Sequence, residues 1–133
     1  MKKLSGISIL LVDDDKEALS LLKSLIEEEA DNKIKINSIV CAEDGAEALI
    51  KFRNQQFDLL ILDNDMPKKS GLEVLKFLKT HNLLKTTDVL FVSGMISSEV
   101  LAELREYPLL DIITKPYSLD RVIKHLAKFS IET

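Results

Sequence analysis

Apolar residues fall along the chain in short dense runs, and between those runs they recur at helical intervals, so the two patterns alternate from end to end. Ile7 to Val12 is too short for a helix and shows no polar alternation, as expected of a strand covered on both faces. Leu19, Leu21, Leu22, Leu25 and Ile26 then predict a helix to about Glu28, with Asp15 placed to cap its first turn. Ile34 to Ala42 predicts a second strand, followed by an amphipathic helix that carries Ala46, Leu49, Ile50 and Phe52 and is entered through Asp44 and Gly45. Leu59 to Leu62, closed by Asp63, is the third strand, and after a loop with Pro67 and Gly71 a helix from Leu72 to about Lys79 buries Val74, Leu75 and Leu78. Val89 to Val92 is the fourth strand, with Ser97 capping a helix to about Glu106. Ile112 to Thr114 makes a brief fifth, and Ser118 caps a last helix carrying Val122, Ile123, Leu126 and Phe129.

Five strand-helix units in strict alternation argue for a parallel sheet covered by helices on both faces, and they are too few to close an eightfold barrel. An open, doubly wound α/β sheet remains. Functional groups in such sheets gather beyond the carboxyl ends of the strands. The residues leaving the strands are Asp13 and Asp14, then Asp63, then Ser93 and Gly94, then Lys115 and Pro116.

Composition narrows the picture. The chain has 133 residues, 46% hydrophobic and 30% charged, which fits a single domain over 1–133 and excludes disorder. A net charge of -4 gives no general reason to bind nucleic acid or an anionic membrane. Cys41 is the sole cysteine, so neither an internal disulfide nor a cysteine zinc cluster can form, and a reducing compartment is expected. Met1 to Lys3 ahead of an apolar run faintly imitates a signal peptide, but Asp13, Asp14 and Asp15 stand where that run would continue. No apolar stretch approaches the ~20 residues of a membrane span. The expected location is the cytoplasm.

Carboxylates crowded at one sheet edge repel one another unless a cation or a proton intervenes. A hard divalent ion suits Asp13, Asp14 and Asp63, because magnesium takes oxygen ligands and is usually held by one or two carboxylates plus a phosphate. Asp13 to Asp15 alone could do no more than cap a helix, but Asp63-Asn64-Asp65 is a second acid cluster at another strand end. Ser93 alone would be a turn residue, and Lys115 alone a solvated lysine. At the ends of strands four and five they face the carboxylates, where they can bind oxygens of a phosphoryl group on Asp63. Pro116 fixes the chain beside the lysine and leaves the isomer of the Lys115-Pro116 bond open.

Ile9 to Asp14, Leu62-Asp63-Asn64-Asp65-Met66-Pro67 with Gly71-Leu72, Val92-Ser93-Gly94 and Lys115-Pro116-Tyr117 occur in an order and spacing that resembles the receiver domain of bacterial two-component response regulators. The resemblance covers essentially the whole chain. It implies a flavodoxin-like (βα)5 fold with strand order 2-1-3-4-5. It also implies that Asp63 accepts a phosphoryl group from a histidine kinase or phosphotransfer protein, in a protein that catalyses only its own phosphorylation and dephosphorylation. By the same resemblance Asp14 and Asp63 are direct ligands of Mg2+ or Mn2+, Asp13 is a ligand through water, and Asp65 contributes its backbone carbonyl. Ser93 and Lys115 bind the phosphoryl oxygens, with Ser93 moving inward as the switch. Output domains or partners are expected at the face of helix four, strand five and helix five, a homodimer is left open, and no direct nucleic-acid or membrane contact is expected.

Two departures qualify that likeness. Ile112 stands where the family usually has Tyr or Phe, so an aromatic switch is missing there and weaker coupling to the output face is expected. Tyr107-Pro108-Leu109-Leu110-Asp111 replaces the usual small residues, which makes that face bulkier, and Tyr107 is a weak candidate to stand in for the missing ring. Leu4-Ser5-Gly6 is similar to the lead-in of hybrid-kinase receivers, one of three architectures left open beside a free-standing receiver and the front of a longer regulator. Leu60 to Asp65 also fits the nucleophile motif of haloacid-dehalogenase-like phosphatases, but the acid pair that family needs after its lysine is missing. A receiver-like module used only for protein contacts would typically have lost the acid pair, the acceptor or the lysine, and all are present.

Overall fold

The computed structural model describes residues 6–30 and 34–129, the side chain of Lys128 excepted. Met1 to Lys3, Leu4 and Ser5 lie outside these residues, so the lead-in and leader readings that rest on them have no structural counterpart here. Strands β1 (Ile7–Val12), β2 (Ile36–Ala42), β3 (Leu59–Asp63), β4 (Asp88–Ser93) and β5 (Leu110–Thr114) alternate with helices α1 (Lys16–Ala30), α2 (Gly45–Asn54), α3 (Gly71–Thr80), α4 (Ser98–Leu104) and α5 (Leu119–Leu126). The strands form one sheet in the order β2-β1-β3-β4-β5, and every neighbouring pair is parallel. This is the open parallel sheet that the alternation predicts, in the flavodoxin-like order that the resemblance implies.

Side chains alternate between two cores along each strand. Ile9, Leu11, Ile61, Leu90, Val92 and Ile113 pack with α1 and α5 on one face. Leu10, Val12, Leu60, Leu62, Val89 and Phe91 pack with α2, α3 and α4 on the other. Because both faces of β1 and β3 are sealed, these strands are apolar at every position except Ser8 in β1 and Asp63 at the end of β3, and each buried apolar side chain contributes roughly 1.5–3 kcal/mol by leaving water. Asp13, Asp14 and Asp63 therefore stand at the ends of strands that are buried along their whole length.

Several predicted boundaries shift. β2 begins at Ile36 and not Ile34, although Ile34 is buried in the α1 and α5 core. β5 begins at Leu110, where the expected start was Ile112, because Leu110 pairs with Val89 before the apolar run becomes dense. α4 stops at Leu104, short of Glu106, and a single 3-10 turn (Ala127–Phe129) ends α5. Asp15 and Ser97 cap as expected, Asp15 Oδ1 accepting from Glu17 N at 3.0 Å and Ser97 Oγ from Val100 N at 3.2 Å. Ser118 occupies the cap position of α5 without a side-chain bond to the helix, so that predicted cap is corrected.

Candidate functional site

Strand pairing assembles the site. Val12 is opposite Leu62, so Asp13 and Asp14 leave β1 beside Asp63 at the end of β3. Asp63 pairs with Val92 and Ser93 with Thr114, which brings Ser93 and then Lys115 to the same edge. The Lys115 amide donates to the Ser93 carbonyl at 2.8 Å and extends the β4-β5 ladder by one residue. The Lys115-Pro116 bond is cis.

The Asp13-Asp14-Asp15 triplet divides its work. Asp15 caps α1, and its own amide donates to Asp13 Oδ1 at 3.0 Å, which orients Asp13. Helix capping alone thus explains Asp15 and leaves two acids for the site. One oxygen each of Asp13, Asp14 and Asp63 lies within 4.8 Å of the others. Asp63 is buried, and Lys115 Nζ lies 2.6 Å from its Oδ1 as an ion pair. Burial, with Asp63 and Asp14 nearby, pushes the Asp13 carboxyl up to about 6 against the opposing Asp15 amide and Lys115. Burial would lower the Lys115 ammonium, but the Asp63 and Asp65 carboxylates outweigh it and hold its pKa high. An all-oxygen donor set with excess negative charge fits a hard divalent cation.

Ser93 is fully buried. Its hydroxyl faces Asp65 Oδ1 at 3.1 Å and the Met95 carbonyl at 3.0 Å. Asp65 Oδ2 accepts from Gly94 N at 2.9 Å and lies 3.3 Å from Lys115 Nζ. Burial alone would raise the Asp65 carboxyl, but the Gly94 amide, the Ser93 hydroxyl and Lys115 together hold it below the usual carboxylate range. This side-chain role was invisible in the sequence, where Asp65 counted only for its backbone carbonyl.

Asn64 is a second omission. Its Oδ1 accepts from Leu72 N at 2.9 Å, its carbonyl accepts from Met66 and Gly71, and its amide donates to Val92 O at 2.8 Å, so it ties the β3-α3 loop down on four sides. Gly71 closes the loop by close approach: a Cβ there would lie 2.6 Å from the Asp63 carbonyl and 2.7 Å from Asn64 Cα. Gly71→Ala should therefore force the backbone apart next to Asp63, costing about 1–3 kcal/mol of stability as overpacking does. Urea unfolding measures that loss, and an unchanged midpoint would mean that the loop yields freely.

Residues 9–127 match the family model described as the response regulator receiver domain. The chain belongs to that family. It is 49% identical over 74 residues to the transcriptional regulatory protein CpxR of Escherichia coli (strain K12), an alignment covering 55% of this chain and 29% of that one. Identity to the probable C4-dicarboxylate response regulator DctR of Bacillus subtilis (strain 168) is 30% over 122 residues, or 91% of this chain and 51% of that one. The chain thus spans about half or less of these relatives. Among solved structures it resembles the Francisella response regulator 1452 receiver domain, with a TM-score of 0.73, 30% identity and coverage of 91% and 93%. The Vibrio cholerae chemotaxis protein CheY4 shares the fold at a TM-score of 0.77 and 24% identity, over 92% of this chain and 98% of that one.

Receiver domains are phosphoacceptors of two-component response regulators and bind magnesium at an acidic pocket, which the Asp13, Asp14 and Asp63 cluster matches. The phosphatase alternative falls with this assignment. In this receiver Ile112 is half-buried against the α2, α3 and α4 core. Tyr107 does not stand in for the missing ring. It lies in the turn before β5, lining a cavity with Thr87, Val89 and Leu109 at the start of β4, the end away from Ser93, and Lys79 covers its ring at 4.8 Å. Tyr117, given no role by the sequence, lines a small cavity with Asp13, Asp63 and Lys115. Among the described residues no helix is long and apolar enough to cross a membrane.

Proposed function

We propose that residues 1–133 form a single receiver domain in which Asp63 accepts a phosphoryl group from a histidine kinase or histidine phosphotransfer protein. The observation that carries this reading is the convergence of three carboxylates within 4.8 Å, with Lys115 2.6 Å from the buried Asp63 and Ser93 at the neighbouring strand end. Asp14 and Asp63 would hold Mg2+ or Mn2+ directly, Asp13 through water and Asp65 through its carbonyl. Bound there, the ion would neutralise charge as the phosphoryl group approaches.

Asp63 supplies the attacking carboxylate oxygen, Lys115 balances its charge and steers it, and burial of the acceptor beside apolar β3 keeps its position fixed. The step needs alignment and charge neutralisation more than covalent help from other side chains. Ser93 then turns toward the new phosphoryl oxygens and shifts β4. With Ile112 in place of an aromatic ring, a branched side chain that is stiff at χ1 sweeps little volume, so coupling to the α4-β5-α5 face is weaker than with a ring. That face is the proposed contact for an output domain, a partner or a second copy, without direct nucleic-acid binding, in a cytoplasmic protein.

Incubation with acetyl phosphate and magnesium, followed by intact mass measurement, tests the reading. One added phosphoryl group, lost when a chelator is present, is expected. No uptake, or uptake that survives chelation, overturns it.

A further inference from the structure

Counting protons on the groups around Ser93 exposes a conflict. The Ser93 hydroxyl has one hydrogen, and it is shared between Asp65 Oδ1 at 3.1 Å and the Met95 carbonyl at 3.0 Å. The Gly94 amide has one hydrogen, and it is given to Asp65 Oδ2 at 2.9 Å. Lys115 is divided between Asp63 Oδ1 and Asp65 Oδ2. Three donors at one strand edge thus converge on a single carboxylate, a planar group whose charge and oxygens imitate part of a phosphoryl group. Neither Ser93 nor Gly94 has a proton left for another anion while Asp65 holds its place.

We propose that the Asp65 side chain occupies the phosphoryl-oxygen position in the unphosphorylated protein and restrains phosphoryl uptake at Asp63. The inference rests on the function proposed above. In the uptake step an Asp63 oxygen bonds to phosphorus, the bond from phosphorus to the donor's acyl oxygen breaks, and its electron pair leaves on the donor carboxylate. The newly bound group then needs the donors that Asp65 holds, so Asp65 must withdraw. It can do so at modest cost, because its side chain is 40% exposed and water replaces its partners. The contact is therefore a gate and not a block. Gly94 leaves room for it: a Cβ at that position would lie 3.3 Å from Asp65 Oδ2, tight enough to shift the carboxylate by a few tenths of an ångström and weaken its contacts.

Initial rates of phosphoryl uptake from acetyl phosphate, at saturating magnesium, separate this role from its rivals. Asp65→Ala frees all three donors and should raise the rate about tenfold, the worth of one charge-assisted hydrogen bond. Asp65→Asn keeps an acceptor for Ser93 or Gly94 and should raise it only about threefold. Gly94→Ala leaves the charge unchanged and should also raise it. Equal acceleration in Asp65→Ala and Asp65→Asn, with none in Gly94→Ala, would reduce the effect to lost negative charge and overturn the proposal. So would unchanged or slower uptake in Asp65→Ala with native circular dichroism, which would make Asp65 an organiser of the site. If Asp65→Ala misfolds, the Gly94→Ala rate alone decides. Wild-type uptake on Asp63 with unaltered variants sinks only this inference, whereas no wild-type uptake sinks the proposed function together with it.

Discussion

Asp63→Asn is expected to abolish phosphoryl uptake from acetyl phosphate under conditions where the wild type gains one group. An amide oxygen carries no full charge and is a far weaker nucleophile than a carboxylate, while the side chain keeps its size, so the buried position next to β3 is preserved. The substitution also removes a charge felt by its neighbours. Asp63 helps raise the Asp13 carboxyl and helps hold Lys115 high, so both groups should move back toward their ordinary values in the variant. Carboxyl and ammonium NMR titrations read those two movements independently of the mass measurement. Uptake retained in Asp63→Asn would mean that Asp14 or Asp65 is the acceptor.

Magnesium is expected to stabilise the folded protein by about 2.7 kcal/mol at a concentration 100 times its dissociation constant, since the unfolded chain offers no assembled site. The effect should depend on pH in a defined direction. Asp13 has a raised pKa of about 6 in the folded state, against about 4 for an unfolded aspartate. Folding therefore favours its protonated form, and that contribution, complete below about pH 4, is lost as pH rises through about 6. The metal needs the deprotonated form, so its stabilising effect should grow over the same interval. Chemical unfolding at pH 5 and pH 7, with magnesium and with a chelator, tests both slopes. Asp14→Ala should leave the metal-free protein no less stable, because it relieves repulsion, and should remove most of the magnesium effect. A stabilising effect of magnesium that is equal at both pH values would show that Asp13 plays no part in holding the ion.

The fold was legible because the central strands β1, β3 and β4 are buried on both faces, which leaves short apolar runs as their mark, and because those runs give way to polar residues at their ends. Asp13, Asp63, Ser93 and Lys115 could be named from that alone, and pairing between neighbouring strands does bring them to one edge. Boundaries were less legible where pairing and apolarity part company, as at Leu110, which joins β5 through its backbone ahead of the dense run. The Ser118 cap failed for a different reason: residue type marks a helix start, but whether the hydroxyl turns to the helix depends on neighbours distant in sequence. The side chain of Asp65 and the loop ties of Asn64 were hidden for the same reason. The partners of Asp65, namely Ser93, Gly94 and Lys115, come from other strand-helix units, as does Val92 for Asn64, whose other ties to Met66, Gly71 and Leu72 are set by the folded shape of its own loop, and no local pattern announces such contacts.

The site takes Asp13, Asp63, Ser93 and Lys115 from four separate strand ends, and this spacing bears on the order in which folding meets its obstacles. Until β3 docks, Asp13 and Asp14 are not held beside Asp63, and the repulsion between the two strand ends is absent. The carboxylates are forced together only when β3 docks alongside β1, after a long crossover has been closed. That repulsion is therefore expected to act only once β3 docks against β1. An ion that relieves it should lengthen the lifetime of the native state, through slower unfolding, while leaving the rate of collapse nearly untouched.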